Sequence, residues 1–161
     1  MKTKVAYFGV FTAVALIFSY VETLIPIHLG IPGIKLGLAN LIVLLVLFKM
    51  GTKEAYILTV VRILLAGFLF GSMFSILYSL AGGLVSLTGM WLLKKIDKFS
   101  IVGISMVGGV LHNIGQLVVA GFVLETFGVI YYFPVLFVSG TLTGILIGFI
   151  AGEMLKRLHK I

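Results

Sequence analysis

The stretch MFSILYSLAGGLVSLTGMWLL, residues 73–93, contains no charged residue and is followed at once by Lys94-Lys95-Ile-Asp-Lys98. A run of about 20 apolar residues is long enough to cross the hydrocarbon core of a membrane as a helix. Lysines that directly follow such a run are typical of its cytoplasmic end. The stretch therefore predicts a transmembrane helix and shows how the rest of the chain can be divided.

The same alternation of apolar runs and cationic clusters divides the 161-residue chain into six segments. Residues 23–33 contain two prolines and two glycines, which predict a loop between the first two segments. We expect one all-α domain over residues 1–161, with six transmembrane helices. The predicted spans are residues 5–21, 34–48, 54–70, 73–93, 100–123 and 131–155.

The composition excludes several classes of protein. Hydrophobic residues make up 61% of the chain and charged residues 11%, whereas soluble domains carry about 25% charged residues. The polar residues are too few to coat a soluble enzyme, and the apolar content is too high for a disordered chain. The chain has no cysteine, which excludes disulfides and cysteine-based metal sites.

The cations predict the orientation in the membrane. Every lysine and arginine except Lys35 and Arg62 lies near a chain end, within residues 49–53 or within residues 94–98. In a chain of six spans these places share one side, and the positive-inside rule makes that side cytoplasmic. We therefore expect a multi-pass protein of the cell membrane with cytoplasmic N- and C-termini. This pattern explains the net charge of +7 without a nucleic-acid partner.

Polar side chains inside the predicted spans are the candidate functional residues, because a bilayer makes them costly to bury. Arg62 lies eight residues beyond Glu54, about 12 Å along a helix. His112 and Gln116 share one helix face, with Asn113 beside them. We expect a polar pocket that opens away from the cytoplasm and binds a small molecule with an anionic group. The candidate substrate-binding residues are Lys35, Asn40, Arg62, Tyr78, Ser79, His112, Asn113 and Gln116.

Each candidate has an expected role. Lys35 and Arg62 would supply positive charge. The side chains of Asn40, His112, Asn113 and Gln116 would supply hydrogen bonds. The tyrosines Tyr78, Tyr131 and Tyr132 would form a wall of the site.

A structural alternative stays open for three of these residues. Arg62, Asn40 and Asn113 could instead form bonds that fix the packing of the helices. For the face of His112 and Gln116 we favour contact with the ligand. No second histidine or carboxylate lies at ligand spacing beside His112, so we expect no metal and no other cofactor.

Small residues line three of the predicted helices. On the fourth helix, Ser75, Ser79, Gly82 and Ser86 share one face, for which we favour packing inside the bundle. Four glycines at i+4 spacing, Gly140, Gly144, Gly148 and Gly152, form a smooth stripe that favours close packing inside the bundle. Gly9 and Ala13 form a smaller face on the first helix. That face could pack internally or contact a partner protein.

Motifs for catalysis are missing from the sequence. There is no GxxxxGK[ST] phosphate-binding loop. The five acidic residues are scattered along the chain, whereas a magnesium–diphosphate site needs several carboxylates together. We expect that the chain is not an enzyme by itself.

Four motifs together resemble one family over nearly the whole chain. They are Pro32-Gly-Ile-Lys35-Leu-Gly-Leu-Ala-Asn40, Lys53-Glu-Ala with Arg62, Ser79-Leu-Ala-Gly-Gly83, and Gly103-Ile-Ser-x-x-Gly-Gly-x-x-His112-Asn-x-Gly-Gln116. The family has two descriptions, Gx transporter and heptaprenyl diphosphate synthase component I. It is in turn similar to the S components of energy-coupling factor (ECF) transporters.

The first description implies a substrate-binding subunit of an ATP-driven uptake transporter for a small solute. S components are six-helix membrane proteins that bind a vitamin or related solute near the outer face and dock on a membrane scaffold with two ATPases. Their first helix contacts the scaffold through an Ala-xxx-Ala patch, which Gly9-xxx-Ala13 resembles here. The second description implies the alternative, a non-catalytic membrane subunit (component I) of a heptaprenyl diphosphate synthase. A third possibility is a structural membrane subunit.

Overall fold

The computed structural model describes residues 2–24 and 37–158, and these residues form helices without any strand. The all-α prediction is confirmed for this part of the chain. A short 3₁₀ segment, Phe127–Tyr132, leads into the last helix. The six α-helices are α1 (Lys2–Leu24), α2 (Asn40–Lys49), α3 (Thr52–Phe70), α4 (Met73–Ile96), α5 (Ile101–Val123) and α6 (Phe133–Arg157).

Four stretches of helix are long and apolar enough to cross a membrane: Lys4–Leu24, Met73–Ile96, Ile101–Val123 and Phe127–Arg157. They identify the chain as a membrane protein by helix length and composition. The helix α3 carries Lys53, Glu54 and Arg62, and α2 has 10 residues. Neither of these two helices is among the four, so the number of six spans stays a prediction.

The second helix differs from its prediction. The apolar run predicted a helix over residues 34–48, of which residues 34–36, with Lys35, lie outside the described residues. The structure begins α2 only at Asn40, after a turn in which Gly37 has a φ of 81° and accepts a hydrogen bond from the backbone N–H of Asn40. Ten residues make a helix about 15 Å long, which is about half the hydrocarbon thickness of a membrane.

The short α2 forms the centre of the bundle. It contacts α1, α3, α4 and α6, and residues 41–47 are all buried. A helix that is apolar on every side fits either a protein core or a membrane interior. For α2, the burial of residues 41–47 by neighbouring helices shows that the position is a core one.

The glycine stripe of α6 packs against α5 as predicted, at three of its four positions. A Cβ at Gly140 would lie 2.7 Å from the carbonyl oxygen of Gly109, and one at Gly144 or Gly148 would lie 2.7 Å from the backbone of α5. At Gly152, no neighbour among the described residues lies within 4 Å of that position. The close approach places α5 between α4 and α6.

The cationic ends of the helices gather at one end of the bundle, called here the basic end. Lys4 of α1 forms a salt bridge of 2.6 Å with Glu54 at the start of α3. Lys49 donates a hydrogen bond to the carbonyl of Leu158 over 2.7 Å, which joins the ends of α2 and α6. Lys94 donates to the carbonyl of Leu47 over 2.6 Å, which joins the ends of α4 and α2.

Candidate functional site

A small polar cavity lies where the start of α2 meets α1, α3, α4 and α5. Because α2 is short, this point lies deep in the bundle and away from the basic end. The cavity has a volume of about 10 Å³, close to the smallest that admits one water molecule. Its lining residues are Ser19, Glu22, Gly37, Arg62, Ile63, Ala66, Gly67, Ser75, Ser79 and His112.

Gly37 allows the turn that precedes α2 to lie against His112 of α5. A Cβ at this position would lie 2.8 Å from Nδ2 of Asn40 and 3.2 Å from Cδ2 of His112. The positive φ of 81° is also a conformation that glycine adopts at little cost. A side chain here would push the start of α2 away from His112.

Arg62 supplies the positive charge of the cavity. Its side chain is 5% exposed, and its Nη2 donates a hydrogen bond to Oδ1 of Asn40 over 3.0 Å. Its Nε has no hydrogen-bond partner among the described residues. Because a guanidinium carries five N–H donors in a rigid fork, Arg62 keeps donors for a further acceptor.

Glu22 supplies the negative charge. It is 8% exposed, and its Oε1 accepts hydrogen bonds from the backbone N–H groups of Gly37 and Leu38, the latter at 3.2 Å. Its carboxylate also attracts the guanidinium of Arg62 electrostatically. The sequence-based candidates did not include Glu22. The signal in the sequence is a carboxylate in the last turn of α1, one helical turn after Ser19.

His112 reaches the cavity because α4 has a glycine, Gly82, where it crosses α5. A Cβ at Gly82 would lie 2.7 Å from the carbonyl oxygen of His112 and 2.9 Å from Cγ of Gln116. His112 is 3% exposed and lines the cavity. The small residues of α4 thus serve to bring α5 close to the start of α2.

The two amide side chains beside His112 have different surroundings. Nδ2 of Asn113 donates a hydrogen bond to the backbone carbonyl of Leu136 over 2.7 Å, which ties α5 to α6. This contact favours the structural alternative for Asn113. Gln116 is 0% exposed, and neither Oε1 nor Nε2 of its amide has a hydrogen-bond partner in the described ranges.

The structure brings together some of the sequence-based candidates and separates others. Arg62, Ser79 and His112 line the cavity, and Asn40 is bonded to Arg62. Asn113 and Gln116 lie beside it on α5 without lining it. Lys35 lies outside the described residues.

The candidate tyrosines lie away from the cavity. Tyr78 is buried in an apolar cluster with Leu117, Ala120, Val129 and Leu136. Tyr131 and Tyr132 are exposed on the bundle surface, by 85% and 39%. The wall expected from these side chains is formed instead by Ser19, Ser75 and the small residues of α3.

The candidate docking face on α1 is open. Gly9 and Ala13 are both exposed, and a Cβ at Gly9 would meet no atom within 4 Å in the part of the chain that the structure describes. This face does not pack against the other described helices. Across residues 2–24 and 37–158, no three histidine, aspartate or glutamate side chains are grouped to hold a metal.

The fold and the cavity define a class, a helical membrane protein with a short buried helix that begins at an internal polar site. A model of the family described as heptaprenyl diphosphate synthase component I matches residues 11–154. The chain belongs to this heptaprenyl diphosphate synthase component I family, as the sequence motifs predicted. No curated protein and no solved structure matches the chain. The family description agrees with the synthase component expected as the alternative better than with the transporter subunit expected first.

Proposed function

We propose that the chain is the membrane-embedded, non-catalytic component of a two-component heptaprenyl diphosphate synthase. The family match over residues 11–154 carries this proposal. In this function the chain lies in the cell membrane with six helices across it and both termini in the cytoplasm. Its partner is the synthase subunit that carries out prenyl transfer.

The chemistry of the cavity supports this function. A prenyl diphosphate has an apolar tail that dissolves in a membrane and an anionic head that does not. The buried guanidinium of Arg62 and the backbone N–H groups at the start of α2 suit such a head, because both bind phosphate oxygens well. The cavity admits only about one water molecule, so its walls must separate before a head group enters.

A second candidate function is the substrate-binding subunit of an ATP-driven uptake transporter. The open face of Gly9 and Ala13 favours it, because a smooth helix surface allows a partner helix to pack closely. The ligand would then be a small solute with an anionic group. The partners would be a transmembrane scaffold and its ATPases.

Copurification separates the two functions. The full chain, tagged and extracted in mild detergent from membranes of its source organism, would be analysed by mass spectrometry for the proteins that accompany it. A soluble prenyl synthase with Asp-rich motifs supports the proposed function. Adding the chain should then increase prenyl transfer by this partner in liposomes. A membrane scaffold with two ATPases would overturn the proposal in favour of the transporter.

Variants of α1 show whether its open face binds the copurified partner. Gly9→Leu or Ala13→Leu should leave the thermal stability of the isolated chain unchanged, because the added side chain meets lipid. Val10→Leu is the matched control, since Val10 is already 60% exposed and already has a branched side chain, so that leucine adds little bulk there. Loss of the partner in the two variants but not in the control places the interface on α1.

A further inference from the structure

Glu22 contacts Gly37 and Leu38, which are 15 and 16 residues later in the sequence, and this contact fixes the end of α1 to the start of α2. The Glu22 carboxylate accepts the backbone N–H groups of Gly37 and Leu38, which no helical carbonyl satisfies at the start of a helix. The positive end of the helix dipole strengthens this contact. Chemically, the carboxylate of Glu22 lies where a helix start binds anions in other proteins.

A second, independent feature points to an anion at the same place. Arg62 lines the same cavity as Glu22 and Gly37. It is only 5% exposed, and its Nε has no hydrogen-bond partner within the described part of the chain. A buried cation with unused donors is costly unless an acceptor is available to it. The guanidinium and the turn at the start of α2 thus line the same cavity.

We infer that the turn at Gly37 and Leu38, together with Arg62, is a binding site for an oxyanion, and that Glu22 occupies it as an internal competitor. The ligand is a phosphate, diphosphate or carboxylate group. This inference rests on the proposed function, because it takes the ligand to be anionic. Since the cavity holds no more than about one water molecule, the ligand enters only when Glu22 leaves.

Displacement of Glu22 has a consequence for α1. Glu22 lies in the last turn of this helix and holds it against α2, and Tyr20 packs on Phe70 of α3 with ring centroids 4.8 Å apart. When an anion replaces Glu22, the end of α1 loses its hydrogen bonds to the start of α2. The site therefore couples the arrival of the ligand to the position of the helix that carries the open face of Gly9 and Ala13.

The first test measures affinity for inorganic diphosphate and farnesyl diphosphate by calorimetry on the purified full chain in nanodiscs. Glu22→Gln should bind at least one probe about tenfold more tightly, because a neutral amide competes less strongly than a charged acceptor for the same N–H groups. Glu125→Gln, which removes an exposed carboxylate near the end of α5, should bind like the wild type. Arg62→Met should lose binding, and Arg62→Lys should retain part of it.

The two probes distinguish the source of the anion. Equal affinities would assign the site to a free anion, and a tighter farnesyl diphosphate complex would assign it to a lipid head group; both support the site. Unchanged or weaker binding by Glu22→Gln would show that Glu22 does not compete with the anion for this site. Failure of every variant and the wild type to bind either probe would overturn the inference altogether.

A second measurement avoids dependence on the folding of Glu22→Gln. The chain has no cysteine, so spin labels on cysteines at Val21 and Leu69, which are 38% and 63% exposed, report the distance between the ends of α1 and α3. Saturating probe should lengthen or broaden this distance in the otherwise native chain. Binding of the probe without any change in this distance would show that the ligand does not release the end of α1. The proposed function fails on a different result, the copurification of a transporter scaffold.

Discussion

The side-chain amide of Asn113 donates a hydrogen bond to the backbone carbonyl of Leu136 over 2.7 Å. The contact joins the middle of α5 to the first turns of α6. A Cβ at Gly140, one turn further along α6, would lie 2.9 Å from the same amide nitrogen. Asn113 is thus held tightly between two helices, while Gln116, on the next turn of α5, has no such partner among the described residues.

This difference predicts opposite effects for two similar substitutions. Asn113→Leu should lower the free energy of unfolding by about 1–3 kcal/mol, because it removes a buried hydrogen bond and leaves a crowded side chain in its place. Gln116→Leu should preserve or raise stability, because it removes two buried polar atoms without partners. Thermal unfolding in detergent, followed by circular dichroism, measures both. A larger loss for Gln116→Leu would show that its amide makes an essential bond.

The glycine stripe of α6 offers a matched pair. Gly140→Ala should destabilise the bundle by about 1–3 kcal/mol, since the new methyl group would lie 2.7 Å from the carbonyl oxygen of Gly109. Gly152→Ala adds the same group where the described structure has open space. It should be neutral or should stabilise the helix by up to about 1 kcal/mol. Equal effects on the unfolding temperature would contradict the packing of α5 on α6.

Substitutions of two neighbouring lysines at the basic end, Lys94 and Lys95, should also differ in their effect on stability. Lys94→Met removes a hydrogen bond of 2.6 Å to the carbonyl of Leu47 and a cation lying 4.9 Å from the ring centroid of Phe48. It should cost about 1 kcal/mol or more of stability. Lys95→Met removes the same charge from an exposed side chain that has no hydrogen bond to a neighbouring helix in the described residues and lies 5.9 Å from the ring centroid of Trp91, so its effect should be smaller. The comparison, made by thermal unfolding at matched salt, separates the helix contact from net charge.

The orientation can be tested with single cysteines, because the native chain contains none. Phe127→Cys, at a position that is 95% exposed near the end opposite the lysines, should react with an impermeant maleimide in intact cells. Lys98→Cys, in the exposed connection after α4, should react only after permeabilisation. The reverse pattern would place the basic end outside the cell and would contradict the positive-inside prediction.

The sequence predicted the helices well where local features determine them. Ser72 and Ser100 accept hydrogen bonds from Ser75 and Gly103 and start α4 and α5, close to the predicted bounds. Lys94 and Lys95 lie in the last turn of α4 and indicate where it ends, because a lysine is costly to bury in a membrane. The ends of these helices depend on residues nearby in the chain, so they can be predicted from the sequence.

The start of α2 could not be predicted in this way. Residues 36–48 contain no proline and no charged residue that would mark a turn at Gly37, and the turn there depends on the approach of His112 from α5 and on the carboxylate of Glu22 from α1. The different roles of Asn113 and Gln116 have the same origin. Both lie in the same motif, and only the position of α6 gives one of them a partner.

The short length of α2 has an electrical consequence. With the basic end at the cytoplasmic surface of the membrane, as proposed, the start of α2 lies about 15 Å from its end, so a charge bound there would lie about halfway across the hydrocarbon core. A unit charge that reaches this point from either side crosses about half of the transmembrane voltage. This corresponds to about 1 kcal/mol for each 100 mV. Occupancy of such a site by an anion is therefore set by the energised state of the membrane as well as by concentration.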